Sequence, residues 1–192
     1  MISDIKLQRL ASGEPLPGLV LIQSQVVSSA VAAVDFTVGI DSLYDEYLFE
    51  LSRVVPQSDS TLVYVNLSTN GGASFDTSAI YAVSDIHSTN GGAPAVAGSA
   101  AINRFILFGT TPGVGSDTGE CLGASLTLHR PASTSLYKIL QGTFSFVSSA
   151  GALCTGINGG AYKSVSAVNG VRFSMSASNI TSGTFKMFGV RR

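Results

Sequence analysis

The closing stretch, residues 168–192, constrains this chain more than any other: VNGVRFSMSASNITSGTFKMFGVRR. Val171, Phe173, Met175 and Ala177 fall on one side, while Arg172, Ser174, Ser176 and Ser178 fall on the other. A period of two is what a half-buried strand requires, because successive side chains point to opposite faces of a sheet. Residues 178–183 have turn chemistry, with Asn179 and Gly183 suited to backbone conformations that most residues avoid. A second strand over 184–190 follows, so the expectation is a closing β-hairpin. Phe185 and Met187 face one way in that second strand; Phe188 and Val190 face the other. A strand apolar on both sides must be covered on both. Either a loop folds over Phe188 and Val190 or another subunit does, and the second is taken as the hypothesis.

The same alternation runs through the body of the chain. Tyr47, Phe49 and Leu51 alternate with Glu46, Leu48, Glu50 and Ser52; Leu122, Ala124, Leu126 and Leu128 share one face. Strands are expected over 19–27, 30–38, 46–54, 61–68, 75–83, 103–108, 121–129, 137–147 and 161–166 before the closing pair. Asn70-Gly71 is a type I′ hairpin signal, which makes 75–83 the natural partner of 61–68. The motif Ser-Thr-Asn-Gly-Gly-Ala occurs at 68–73 and at 88–93, and Asn-Gly-Gly again at 158–160. The flanks differ, so these read as turns of one chemistry and not as a repeat. Residues 93–101 and 110–119 read as small-residue loops. With no helical periodicity, the fold class is all-β, an antiparallel sandwich or jelly roll of about ten strands.

A length of 192 residues suits one domain of this class. Residues 1–18 stand apart as an N-terminal arm and linker: Ile2, Ile5, Leu7 and Leu10, then Pro15 and Pro17. Such a segment is either an arm that docks on a neighbour or an ordinary first strand capping the sheet, leaving 19–192 as the sandwich. Charged residues make up 12%, against about 25% in a typical soluble domain, and the net charge is −1. No basic run exists to track phosphates, so nucleic acid is not an expected partner. Residues 19–34 are interrupted by Gln23, Gln25, Ser28 and Ser29, and no membrane insertion is expected. Asp4, Lys6 and Arg9 leave no apolar signal-peptide core at the start.

Chemistry-bearing residues are sparse. Glu46 and Glu50 share a face, but four strand residues place them about 13 Å apart, beyond either glycosidase geometry. Asp41, Asp45 and Glu46 match no cation-loop spacing. His87 beside Asp85 reads as a polar loop, and His129 shares an outward face with Ser125 and Thr127; neither lies near a nucleophile motif. Cys121 and Cys154 have neither metal nor redox spacing. Asn179-Ile180-Thr181 matches a glycosylation acceptor, a triplet common by chance. No catalytic, cofactor or metal residues are therefore assigned. With no tryptophan, a glycan platform would fall to Tyr81, Tyr137 or Tyr162.

Two stretches carry a resemblance. Residues 60–84, STLVYVNLSTNGGASFDTSAIYAVS, are similar to a recurrent segment of tailed-bacteriophage virion proteins. An alternating strand there leads into Ser-Thr-(Asp/Asn)-Gly-Gly, then an aromatic residue and a Tyr-Ala strand. The ending of those proteins resembles 168–190 here, through Val168, Gly170, Val171, Phe173, Asn179, Ile180, Ser182, Gly183, Thr184, Phe185, Phe188 and Gly189. The resemblance implies a non-enzymatic β-sandwich protein of the particle surface: tail, fibre or head decoration. It implies other virion proteins as partners and often several copies of the chain; the assembly expected here is a homo-oligomer, a trimer foremost. It carries over no functional site, because the matched residues are strands and turns. A module binding host-surface polysaccharide is the alternative, and a depolymerase stands last for want of a carboxylate pair.

Overall fold

A computed structural model describes residues 18–109 and 113–191. The arm and linker read over 1–18 lie outside the described residues except for Gly18. Twelve strands form, all paired antiparallel, and no helix occurs among the described residues. They are β1 (Gly18–Val27), β2 (Ala33–Phe36), β3 (Glu46–Pro56), β4 (Val63–Ser68), β5 (Tyr81–Thr89), β6 (Ala95–Ile102), β7 (Phe105–Ile106), β8 (Leu122–His129), β9 (Lys138–Val147), β10 (Leu153–Tyr162), β11 (Gly170–Met175) and β12 (Ile180–Arg191). One sheet has eight strands in the order β1-β12-β3-β8-β9-β10-β5-β6; the other has four, β2-β11-β4-β7. The all-β antiparallel class expected from the sequence is what the chain adopts.

Several pairings differ from the sequence reading. The closing strands do not form a hairpin: β11 pairs β2 and β4 in the small sheet, whereas β12 pairs β1 and β3 in the large one. The connection at 176–179 therefore crosses the sandwich, and the inward faces of its two strands meet. Phe173 lies 5.8 Å from Phe185 between ring centroids, 5.5 Å from Phe49 and 6.1 Å from Phe36. Likewise the Asn70-Gly71 turn does not return β4 onto its successor; β5 joins the large sheet beside β10 and β6. Of the expected strand at 161–166 only Ala161 and Tyr162 are strand, as the end of β10, and most of the expected loop at 93–101 belongs to strand β6.

Asn158-Gly159-Gly160, read as a turn, sits inside β10. The reason is close approach. A Cβ on Gly160 would lie 2.6 Å from Phe105 Cε2, and one on Gly156 would lie 2.6 Å from Phe144 Cζ. Glycine here makes room for aromatic rings, that of Phe105 from the small sheet across the core and that of Phe144 from the neighbouring strand β9. Gly160→Val is expected to cost at least about 2 kcal/mol by overpacking, measured as a urea midpoint shift; an unchanged midpoint would contradict it.

The small sheet has half as many strands as the large one, so the segment after β7 completes the cover. Leu107 and Phe108 are fully buried, with Phe108 4.4 Å from Phe146 and 5.4 Å from Phe144. Elsewhere Lys138 closes the base of β9. Its fully buried ammonium donates to the carbonyls of Ser133 (2.5 Å), Leu136 (3.0 Å), Val165 (3.1 Å) and Ser164 (3.5 Å). One side chain thus ties the loop before β9 to the loop after β10. Lys138→Met leaves those carbonyls without a donor and is expected to cost about 3 kcal/mol in urea unfolding. Unchanged stability would remove Lys138 from this role.

Candidate functional site

One group of polar residues with catalytic character lies inside the sandwich. Asp85 and His87, expected in a loop, project inward from β5 and are both buried. Asp85 Oδ1 is 2.6 Å from His87 Nδ1, and Asp85 Oδ2 accepts the Gly109 N–H at 3.0 Å. Asn158, across from Asp85 on β10, donates to the Leu107 carbonyl. Cys154 is buried on the same face of β10, opposite Thr89. Acid and imidazole are thus in contact, which the sequence did not reveal, and the thiol stands on the same inward face, two strand positions from the residue opposite His87 and four from that opposite Asp85. Burial pushes the Cys154 thiol up, with the Asp85 charge adding to the effect against a hydrogen bond to Thr89. A nucleophilic cysteine needs the opposite shift. The cluster's visible work is to fasten the covering segment 107–109 onto β5 and β10.

The remaining candidates from the sequence are scattered. Tyr81 and Tyr162 are 0% and 2% exposed and offer no ring face to a ligand. Their rings pack 5.0 Å apart. The Tyr81 hydroxyl accepts the Leu67 N–H at 3.0 Å and reaches the Asp76 carbonyl at 3.2 Å; the Tyr162 hydroxyl donates to Asp76 Oδ2 at 2.7 Å. Both pin the turn between β4 and β5. Burial works against the Asp76 charge, yet the Tyr162 hydroxyl and Ser78 hold its carboxyl below the ordinary value. Tyr137, 54% exposed, is the one candidate tyrosine at the surface. It follows Leu136, which lines a 320 Å³ cleft with Ser42, Asp45, Arg130 and Ser133.

Asp41 is committed locally, its Oδ1 accepting the Leu43 N–H at 2.8 Å and the Tyr47 hydroxyl at 3.0 Å. Among the described residues no group of three or more His, Cys, Asp or Glu could hold a metal ion. Cys121 and Cys154 are both unpaired thiols. His129 Nδ1 lies 3.5 Å from Glu46 Oε1 on the outward face of β8 and β3. No helix among the described residues is long and apolar enough to cross a membrane.

What the fold presents is the outward face of the eight-stranded sheet. Phe188 and Val190 project from it, each partly exposed. Phe188 stands between Leu21 on β1 and Leu48 on β3, and Val190 between Leu19 and Glu46. Leu19 and Leu21 are more than half exposed, so these residues form one apolar patch near the β1 edge. Further across, the outward residues of β9, β10, β5 and β6 include no charge: Ile139, Gln141, Thr143 and Ser145, then Thr155, Ile157 and Gly159, then Ser84, Ile86 and Ser88, then Val96 and Gly98. Two adjoining shallow clefts of about 440 and 380 Å³ lie on this face and share Ile157. Charges pattern the other half of the face, among them Glu46, Glu50 and Lys186, and Arg53 and Glu120 line a cleft with Val26 and Thr184. Compared with protein-family models, with curated proteins and with solved structures, the chain matches none of them.

Proposed function

We propose that this chain is a non-enzymatic structural protein of a tailed-bacteriophage particle surface, acting as a homo-oligomer, foremost a trimer. Its work would be to hold a fibre or spike to the particle or to contact the host surface. The observation that carries the reading is the outward face of the large sheet, apolar at Leu19, Leu21, Leu48, Phe188 and Val190 and uncharged from β9 to β6. Depletion of charge with retained apolar area is the composition of an interface centre, not of a solvated surface. The resemblance of residues 60–84 and 168–190 to virion proteins supplies the setting.

Antibodies raised to the chain are expected to decorate intact particles in immunogold microscopy; label confined to soluble lysate would overturn the reading. Phe188→Ser, at a partly exposed position, is expected to lower the mass in solution without unfolding the chain, and an unaltered mass would remove Phe188 from the contact. A second reading, binding of host polysaccharide, is favoured by Tyr137 beside the hydroxyl-lined cleft of Ser42 and Ser133. Glycan-array binding lost in Tyr137→Ala would support it; no binding would dismiss it.

A further inference from the structure

The two sheets treat their edges differently. In the small sheet the edges are β2, four residues long and carrying Asp35, and β7, two residues long. Short strands and a charge are the usual means of preventing an edge from pairing with another chain. Asp35 is also held by Arg172, at 2.8 and 2.7 Å, which caps that side. In the large sheet the edge strands are long and carry no charge of their own; each has one register irregularity, at Leu21/Gln23 on β1 and at 99–102 on β6, and Lys163 Nζ donates to the Ala100 carbonyl at 2.6 Å near the end of β6. The edges of this sheet are β1, GLVLIQSQVV, and β6, AVAGSAAI. Ten residues on one side and eight on the other include no charge and no proline. Val26 and Val96, one on each edge, are 72% and 78% exposed.

We propose that the large sheet continues from copy to copy, the β1 edge of one chain pairing with the β6 edge of the next. The occupant is a second copy because the chain carries both halves of the contact on opposite edges of one sheet. An eight-residue antiparallel ladder supplies about eight backbone hydrogen bonds, within the usual number for a whole stable interface. The same junction joins two apolar regions of the outward face: Leu21 and Phe188 beside β1, and Ile86, Ile157 and Val96 beside β6. In the strand registers these regions lie one outward row apart. The Leu21–Phe188 row continues through Leu48 and Thr127 to Ser84, and the Lys186–Glu50 row continues through Ser125 to Ile157 and Ile86. A contact between unlike edges is heterologous, so it closes into a ring or runs on as a filament. A ring of three leaves no open edge in the large sheets. This deepens the homo-oligomer of the preceding reading and adds an edge contact to its face contact.

Edge and face are separated by three variants of the full chain, weighed in solution by light scattering with circular dichroism to confirm folding. Val96→Lys and Val26→Lys each place a charge on an edge strand that has none, at an exposed position. Each is expected to weaken association about tenfold or more while the fold is kept. A mixture of the two variants is expected to give a dimer with one junction, the unaltered β1 edge of Val96→Lys on the unaltered β6 edge of Val26→Lys, that grows no further because the next junction would bring the two lysines together. Loss with Val96→Lys but not Val26→Lys would overturn the β1-to-β6 pairing in favour of like edges. Full retention in both, with dissociation only in Phe188→Ser, would overturn the edge contact and leave the face contact standing. A monomeric wild type at its highest soluble concentration would overturn both.

Discussion

Phe173→Ala is expected to destabilise the protein by about 4 kcal/mol, a large share of the roughly 5–15 kcal/mol by which domains are stable. The ring is fully buried on β11 and touches both sheets: Phe36 beside it in the small sheet, Phe49 and Phe185 across the sandwich. Truncation removes the side chain around which those three rings are arranged. Backbone ladders on both sides of Phe173, to Val34 and to Val65, limit how far the walls can close on the cavity. The loss therefore includes a cavity term beside the transfer term. Urea unfolding followed by circular dichroism measures it. A cost below about 1 kcal/mol would mean that Phe173 is not the centre of the core, since even a conservative Ile→Val core change approaches that size.

The second large effect is alkaline unfolding. Burial pushes the Tyr47 and Tyr162 hydroxyls up from 10 to about 12, and burial likewise raises Tyr81. The Asp41 and Asp76 carboxylates that share their hydrogen bonds add to the rise at Tyr47 and Tyr162 respectively. Folded chain thus keeps protons that unfolded chain releases above pH 10. The stability these tyrosines contribute is complete below pH 10 and is lost as the pH climbs through 10 towards 12. Each of Tyr47 and Tyr162 accounts for roughly 2 kcal/mol once solvent screening is allowed for. Lys138 acts in the opposite sense, because burial lowers its value and the unfolded chain holds that proton up to about 10.5. One lysine faces three tyrosines, so the net slope is downward. Stability measured by urea titration at successive pH values should fall steeply above pH 10, with tyrosinate absorbance appearing as the fold is lost. Flat stability from pH 10 to 12 would show that the three hydroxyls ionise inside the folded protein.

Which face each residue takes was legible; which strand it joins was not. Tyr47, Phe49 and Leu51 point inward as their alternation requires, and so do Leu122, Ala124, Leu126 and Leu128. Phe188 and Val190 project from the opposite face to Phe185 and Met187 for the same reason. Period two records side, and carries no information on pairing partner. A polar connection such as 176–179 suits a hairpin and a sandwich crossing equally well, and only packing of Phe173 on Phe185 decides for the crossing.

Strand β6 was hidden because Ala95–Ile102 has few β-branched residues and no aromatic; pairing with β5 makes it a strand. Gly160 was hidden because a glycine needed for a turn and one needed under Phe105 look alike until the ring is placed. The Asp85–His87–Cys154 grouping depends on β5 lying beside β10, two segments more than 60 residues apart. Tyr81 and Tyr162 show the converse error: residues suited to an exposed platform serve as core rings with a hydroxyl on the 76–78 turn.

Hydrogen exchange at the edges of the large sheet tests the central claim most directly. In the wild-type assembly the amides of Ala95–Ile102 that face away from β5, and those of Gly18–Val27 that face away from β12, should be protected. That protection should disappear on dilution, while the amides of β3 and β8, inside the sheet, stay protected throughout. Free exchange of the outward amides of β6 and β1 at every concentration would mean that both edges stand open, and the account of a sheet shared between copies would be wrong.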